Sequence, residues 1–371
     1  MQSAVPRVLY VTQRDTAHDR RFLRAMCRAQ VEVGVVRLSG APAHRPLAPG
    51  VLDLSPRAGS VGRPGRTLRL RSHLRAACRE FAPTVIHAGP IQQGAFLVGL
   101  AGLRPLISMS WGSDLLLGAR NGVGRWKARW ALSRSQLLLC DCQAVRKAAL
   151  DLGAPQERIV VFPWGVDLDH FRPGRQAPLR RKLGWEREFV LLSARSFEPI
   201  YGVDVLIEAF LRLAPTEPRL RLLLLGEGSL RSSLQRRIEL AGLQSRVHLA
   251  GAVSEDRLPD YCHASDLYVS ASYSDGSSVS LLEAMACGLA SVVSDLPSNQ
   301  EWVKPGVHGW LFPAGDSRAL AEGIRQALVD PTRRASMGTA ARARVENDAD
   351  WRRGSRMLID AYRMVSGLEP V

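Results

Sequence analysis

The sequence predicts an α/β protein made of two consecutive Rossmann-like, doubly wound domains. Three observations predict it. The chain has 371 residues, more than one hydrophobic core ordinarily holds. Short apolar runs of strand length alternate with stretches of helical period, the rhythm of βαβ units with a parallel sheet covered on both faces. That rhythm breaks once, at Pro163–Arg187, where Pro163, Pro173, Gly174 and Pro178 gather, and then resumes as it would across an interdomain linker.

In chain order, Val8–Thr12 reads as a buried strand, Arg20–Gln30 as an amphipathic helix and Val31–Leu38 as a second strand. Gly40–Gly65 is rich in Pro, Gly and Arg and reads as a long loop with room for one short strand. A helix at Thr67–Phe81, a strand at Thr84–His87, a helix at Gln92–Leu103 and a strand at Pro105–Ser110 follow. The first half closes with a helix at Arg125–Ser133, a strand at Gln136–Asp141, a helix at Ala144–Leu152 and a strand at Arg158–Phe162. The second half alternates strands at Phe189–Ala194, Leu220–Leu225, Arg246–Ala250, Leu267–Ser270 and Ser291–Ser294 with helices at Val203–Leu213, Ser229–Ala241, Glu255–Cys262, Val279–Cys287 and Ser317–Leu328. Helices fill much of the tail; near Trp351–Met364, Met357, Leu358, Ala361 and Met364 share one face.

Composition narrows the function. Hydrophobic residues make up 46% and charged residues 23%, as in a folded soluble protein. The formal charge is +15, nearly all of it arginine, since the only lysines are Lys127, Lys147, Lys182 and Lys304. Such a surface suits an anionic partner, whether a nucleotide or the face of an acidic membrane, or else it is a solvated basic coat. No zinc spacing, RNP-like strand or recognition helix supports nucleic acid. The six cysteines are scattered through mainly apolar stretches and read as reduced core residues of a cytoplasmic protein. Cys140-Asp141-Cys142 has no second pair at ligand spacing, so no metal site is expected. No signal-peptide layout and no apolar run of membrane-spanning length is present.

The chemistry collects where the second-half strands end. In doubly wound sheets ligands bind beyond the carboxyl ends of the strands. Arg195 follows one such end, Gly226-Glu227-Gly228 another, and the run Ser272 to Ser278 a third. A guanidinium beside helix-terminal N–H groups suits a diphosphate; the alternative is an ion pair with Glu198 or Glu208. Asp275 and Glu283 stand eight residues apart around Gly276-Ser277-Ser278 and the start of a helix. Two carboxylates so placed can grip the hydroxyls of two sugars; the alternative is an N-cap aspartate and a solvent-facing glutamate. Leu282 and Ala284-Met285-Ala286 beside Glu283 argue against the solvated face.

The run SDGSSVSLLEAMACG, Ser274 to Gly288, resembles the signature of the retaining glycosyltransferases of family 4. So do Trp164-Gly165-Val166-Asp167 with Phe171 and Pro173, and Gly202-Val203-Asp204 with Leu206, Ile207 and Ala209. Gly226-Glu227-Gly228, and Asn299 with Glu301-Trp302, complete the set. The resemblance runs from about Val8 to Tyr362. It implies the GT-B fold, with two Rossmann-like domains facing a cleft: an acceptor domain at 1–165 and a donor domain at 166–350, the helix at 351–371 returning to the first. It implies transfer of a sugar from a nucleoside-diphosphate sugar with retention and without a metal or other cofactor. Arg195 would hold the diphosphate, and the backbone of Ser277, Ser278 and Val279 the phosphates. Glu283 would bind the ribose, Asp275 the transferred sugar, and the segment near Val253 would lie along the base, with Gly226 and Gly276 giving close approach.

The sequence departs from the pattern in four places. Asp275 stands for a glutamate and Tyr201 for the lysine of the diphosphate clamp. Trp111 stands for a histidine, and the run from Asp15 through His18 to Arg20 replaces a glycine pair. On the acceptor side Asp15, His18, His87, Trp111 and Asp114 are the candidates. The acceptor is expected to be a small molecule, a glycan or a lipid-linked sugar, with peripheral contact between the basic surface and an anionic membrane. Asp167-Leu168-Asp169 matches the D-x-D of metal-dependent transferases by coincidence of position. The competing readings are a nucleotide-sugar epimerase on the same fold and a non-catalytic nucleotide-sugar-binding subunit.

Overall fold

Strands that are apolar without alternation must be covered on both faces, and they are. The computed structural model describes residues 5–40, 46–56, 65–174 and 178–369; parts of the Gly40–Gly65 loop and of the Pro163–Arg187 break lie outside them. The chain divides into one unit of Met1–Trp164 with Arg352–Val371 and another of Gly165–Trp351.

The first unit holds β1 (Arg7–Thr12), β2 (Glu32–Arg37), β3 (Val51–Asp53), β4 (Val85–Ala88), β5 (Leu106–Met109), β6 (Leu137–Cys140) and β7 (Ile159–Val161). They form one sheet in the order β3-β2-β1-β4-β5-β6-β7, every pair parallel. The first helix, Ala17–Arg28, begins with a capping box between Thr16 and Asp19. Asp19 also accepts from the Tyr10 hydroxyl of β1 at 2.8 Å, so the helix start is tied to the sheet.

Two elements of this unit differ from the sequence reading. Gln92–Leu103 is not one α-helix: Ile91–Ala95 is a wide π-turn and Phe96–Leu100 a short α-helix. Gly94 lies against the backbone of Gly89, where a Cβ would come within 2.3 Å of the carbonyl oxygen, and the widened turn fits that approach. A short helix at Ser113–Leu116 was not foreseen. The Asp114 carboxylate organises it, accepting from the N–H groups of Ile91 (2.8 Å), Trp111 (3.0 Å) and Leu115 (3.1 Å) and from the Ser110 hydroxyl (2.6 Å).

The terminal helix Trp351–Val365 sends Leu358, Ala361 and Tyr362 into the interior; from Arg352 onward it belongs to the first unit.

The second unit holds β8 (Phe189–Ala194), β9 (Leu220–Leu225), β10 (Val247–Gly251), β11 (Leu267–Ser270), β12 (Ser291–Ser294) and β13 (Gly309–Phe312). Their order is β10-β9-β8-β11-β12-β13, again all parallel. One face packs on Val203–Leu213 and Ser317–Val329, the other on Val279–Ala286 and Pro331–Asp348. The Pro163–Arg187 break holds a helix at Pro178–Leu183. Where the chain enters and leaves this unit, Val166 and Asp350 form a parallel bridge.

Candidate functional site

In the second sheet β8 and β11 are neighbours, but the chain leaves β8 toward β9 and leaves β11 toward β12. The strand order therefore reverses between them, and the crevice at their carboxyl ends is where such sheets bind ligands. Arg195 follows β8. The loop Ala271–Ser278 follows β11 and leads into Val279–Ala286.

The topology brings these two segments together. Arg195 Nη2 donates to Asp275 Oδ2 at 2.5 Å, and Nη1 donates to the hydroxyls of Ser278 (2.8 Å) and Ser280 (3.4 Å). The guanidinium carbon lies 4.2 Å from the centre of the Tyr201 ring, a cation–π contact. Nε is buried without a hydrogen-bond partner. Burial pushes the Asp275 carboxyl up, and Arg195, the Gly276 N–H and Ser278 pull it only part of the way back. Burial acts against the charge on Arg195, but Asp275 first, then Tyr268 and Tyr201, more than restore it. The guanidinium is thus a fixed cation with part of its donor fork spoken for.

The alternatives raised by spacing do not hold. Glu198 accepts from the N–H and hydroxyl of Ser229, and Glu208 pairs with Arg212 at 2.6 Å; the partner of Arg195 is Asp275. Ser278, not Asp275, is the N-cap residue. Glu283 is 6% exposed, so it is no solvated glutamate.

Backbone proximity locks the two loops. The Tyr273 N–H donates to the Ile200 carbonyl at 2.8 Å. Gly202, at φ +58°, lies so close to Ala271 that a Cβ would come within 2.1 Å of its carbonyl oxygen. The loop after β9 joins the same arrangement: the Gly226 N–H donates to Gly251 and Phe197 to Glu227. Val253 stands partly buried just beyond β10.

Several supporting residues escaped the sequence reading. The Ser298 hydroxyl donates to the Asp275 carbonyl at 2.9 Å, and Tyr268 and Ser280 share a hydrogen bond of 2.8 Å. Trp302 Nε1 donates to the Ser277 hydroxyl at 3.0 Å, and Asn299 holds the Ser294 carbonyl. Asn299 and Trp302 were the available signal in the sequence: Trp302 braces the loop that carries Asp275 to Ser278, while Asn299 holds the end of β12.

In the first unit the candidates separate. Asp15 forms an ion pair with Arg20 at 2.9 Å. The His18 and Trp111 rings lie 5.6 Å apart, and Trp111 also meets Phe22 and Trp164 edge-on. His87 is a core residue, not a surface one: it is fully buried, with Nδ1 2.6 Å from the Tyr362 hydroxyl and Nε2 3.2 Å from Met109 Sδ. Burial lowers its pKa to about 3, so the ring is neutral; Nε2–H faces the sulfur and Nδ1 accepts from Tyr362. Asp114 is spent on its own turn, as described above. Trp111 and Asp114 nonetheless line a cavity of about 510 Å³ with Gln92, Gln93, Ser113 and Lys127.

Asp167 of the D-x-D accepts from the N–H groups of Asp169 (3.1 Å) and His170 (3.2 Å), an Asx turn. Among the described residues no group of three or more His, Cys, Asp or Glu side chains could hold a metal ion, and no helix is long and apolar enough to cross a membrane.

Residues 176–344 match the family of glycosyl transferases group 1, and residues 18–170 match glycosyltransferase family 4. A D-inositol 3-phosphate glycosyltransferase of Rhodococcus jostii is 33% identical over 223 residues, 58% of this chain and 49% of the relative. A mannosylfructose-phosphate synthase of Agrobacterium fabrum is 30% identical over 218 residues, 56% of this chain and 44% of the relative. The chain thus spans about half the length of the curated relatives it matches. Among solved structures, sucrose-phosphate synthase from Thermosynechococcus elongatus superposes with a TM-score of 0.81 at 19% identity, covering 97% of this chain and 99% of that one. Anabaena Alr3699/HepE in complex with UDP and glucose superposes with a TM-score of 0.80 at 21% identity, covering 97% and 100%. At such identities the likeness is one of fold: GT-B, with two Rossmann-like domains.

Proposed function

The chain belongs to glycosyltransferase family 4, and from that premise we propose that it transfers a sugar from a nucleoside-diphosphate sugar to a hydroxyl acceptor, with retention and without a metal. The observation that carries the reading is Arg195 at the strand-order reversal of the second sheet, joined to Asp275 and to Ser278 at the start of Val279–Ala286. Bond cleavage at the anomeric carbon builds negative charge on the departing diphosphate. Arg195 and the N–H groups of Ser277, Ser278 and Val279 would stabilise that charge, an arrangement made before the reaction and needing no reorganisation during it. Those donors supply the positive charge that a metal supplies elsewhere. Glu283 would bind the ribose and Asp275 the transferred sugar. The leaving diphosphate's own oxygen would take the acceptor's proton.

UDP is the first nucleotide to test, because structures of the Anabaena neighbour contain UDP and UDP-glucose. Phosphorylated polyols are the first acceptors to test, because the curated relatives are named for inositol phosphate and mannosylfructose phosphate. The first-unit cavity beside Trp111 and Lys127 is the proposed acceptor side.

The experiment is a donor screen in the presence of a chelator, with the anomer of the product assigned by NMR. Turnover that vanishes with chelator and returns with magnesium or manganese would overturn the metal-free reading. Glu283→Ala is expected to weaken UDP binding, because a grip on ribose acts equally in ground and transition states. Asp275→Ala is expected to lower kcat more than donor affinity. Unchanged UDP affinity in Glu283→Ala removes the ribose assignment.

A cytoplasmic site of action, with the basic surface against an anionic membrane, belongs to the same proposal. Val123 and Trp126 are exposed on Gly122–Arg134 among Arg125, Lys127 and Arg129. Anionic vesicles should pellet the protein at low ionic strength and release it in salt, as screening shortens the attraction. Equal pelleting with neutral vesicles argues against the membrane contact.

A further inference from the structure

A row of three hydroxyls, those of Tyr268, Ser280 and Ser278, runs from the core of the second unit to Arg195. Tyr268 stands on β11, fully buried in the apolar core that Val279–Ala286 also lines. Its hydroxyl lies 2.8 Å from Ser280 Oγ, and Ser280 Oγ lies 3.4 Å from Ser278 Oγ. Arg195 Nη1 donates to both serines, at 2.8 Å to Ser278 and 3.4 Å to Ser280.

Counting protons gives the row a direction. A hydroxyl has one proton to donate and two lone pairs that accept, whereas a guanidinium only donates. A buried phenol that leaves its proton unplaced is costly, and the acceptor beside Tyr268 is Ser280. Ser280 therefore accepts from Tyr268 and from Arg195, and its own proton goes to Ser278. Ser278 accepts from Arg195 and from Ser280, so its own proton is the one left over. The same count explains why Ser278, the N-cap residue of Val279–Ala286, makes no side-chain capping bond. An N-cap serine ordinarily accepts from the first turn, but here both lone pairs serve the row. The leftover proton suits an anion. Asp275, held at 2.5 Å by the other Nη of the same guanidinium, is one such anion: Ser278 works against the rise that burial gives its carboxyl.

We propose that the Ser278 hydroxyl is a side-chain donor to the leaving diphosphate, and that Tyr268, acting through Ser280, is the positioning residue that points it. The proposal rests on the reading of Arg195 as the diphosphate's cation. Ser278 then meets the ligand twice, through its backbone N–H and through its hydroxyl. As the bond between the anomeric carbon and the β-phosphate oxygen breaks, the electron pair passes to that oxygen. The Ser278 O–H donates to it and keeps its proton. Each hydroxyl is polarised by the one behind it, and the row is set before charge develops. The contact is therefore stronger with the released diphosphate, which carries the full charge, than with the intact nucleotide sugar.

The test is calorimetry on the full chain with whichever of UDP, ADP and GDP the wild type binds best, and with the glucose ester of that nucleotide. Ser278→Ala keeps the backbone N–H and should weaken the diphosphate about tenfold, the loss of one hydrogen bond to a charged group, and the glucose ester by less. Ser278→Thr keeps the hydroxyl and should restore the affinity. Tyr268→Phe removes one buried oxygen and should weaken the diphosphate about threefold while Ser278 is present, and not at all when added to Ser278→Ala. Unchanged diphosphate affinity in Ser278→Ala, or a Ser278→Thr as weak as Ser278→Ala, overturns the donor role. An equal loss from Tyr268→Phe in both backgrounds makes Tyr268 merely structural and overturns the positioning role. A wild type that binds none of the three diphosphates defeats the donor-site reading itself, and this proposal with it.

Discussion

Arg195 holds two relationships that pull on each other. Its tie to Asp275 keeps a buried carboxylate compensated, while the proposed diphosphate needs the same cation. The Nε donor, buried and unpartnered, and the 3.4 Å bond to Ser280 mark where the fork has capacity left. Tyr201 covers one face of the guanidinium and brings no charge, so Arg195 stands without the lysine that the family places at that position. Arg195→Ala is therefore expected to weaken UDP binding roughly 10- to 100-fold, since a hydrogen bond to a charged group is worth about 1.5–3 kcal/mol. Titration calorimetry measures it. Unchanged affinity, with only a lower melting temperature, would leave Arg195 as nothing more than the partner of Asp275. Tyr201→Lys sets a second cation against the first. The ligand-free protein should melt lower and the UDP-bound protein should recover, giving a larger ligand-induced shift in Tm than the wild type. Arg195 at a strand end was legible in the sequence. Its pairing with Asp275 was not, because eighty positions separate them and only the β8–β11 adjacency joins them.

Among the elements, the loops after β8 and β11 are held by contact between backbones, which explains a glycine at position 202. A methyl there meets the Ala271 carbonyl at 2.1 Å and also forces a left-handed φ of +58° on alanine. Gly242 offers the control: its φ is +66°, but nothing lies within 4 Å of the added carbon. Gly242→Ala should cost about 1 kcal/mol, the conformational penalty alone. Gly202→Ala should cost at least about 2 kcal/mol more, since the loops must part, and should also lower UDP affinity. Urea denaturation of the two variants compares them directly, and equal losses would show that the Ala271 contact yields at little cost. Strands and long helices were mostly legible because continuous apolar runs and helical period report burial on two faces or one; the short edge strand β13 at Gly309–Phe312 was not read. The π-turn at Ile91–Ala95 and the helix at Ser113–Leu116 were not, because both depend on contacts between distant segments: Gly94 on Gly89, and Asp114 on the Ile91 N–H.

At the scale of the whole chain, the sequence could not say what His87 does, since a histidine ending a strand reads alike as a ligand or as a core residue. Its partner, Tyr362, lies 275 positions away on the terminal helix. That hydrogen bond joins the first and last parts of the first unit across β4. It also makes the stability of the chain depend on pH in a definable window. The ordinary His pKa is 6.5, and in the folded protein burial lowers it to about 3. Between these values the unfolded chain binds a proton that the folded chain refuses. The stability contributed by neutral His87 is therefore fully present above about pH 6.5 and is lost as pH falls toward 3, at up to about 1.4 kcal/mol per pH unit. Asp19 and Asp114, both pushed up by burial, act in the opposite sense: their folded forms hold protons more tightly, so they favour the folded state as the pH falls through their range. The melting temperature of the wild type alone mixes these contributions, and the informative quantity is the difference between wild type and His87→Leu. At pH 7 the variant should melt lower, because the Tyr362 hydroxyl loses its acceptor, at a cost of about 1–3 kcal/mol. As the pH falls from 6.5 toward 3 the two curves should converge, since the variant has no buried imidazole to charge. Tyr362→Phe keeps the imidazole and should retain the steep acid limb from a lower starting point. If wild type and His87→Leu instead run parallel through that window, His87 is already protonated in the folded chain, and the neutral, Tyr362-facing ring described here is not its state in solution.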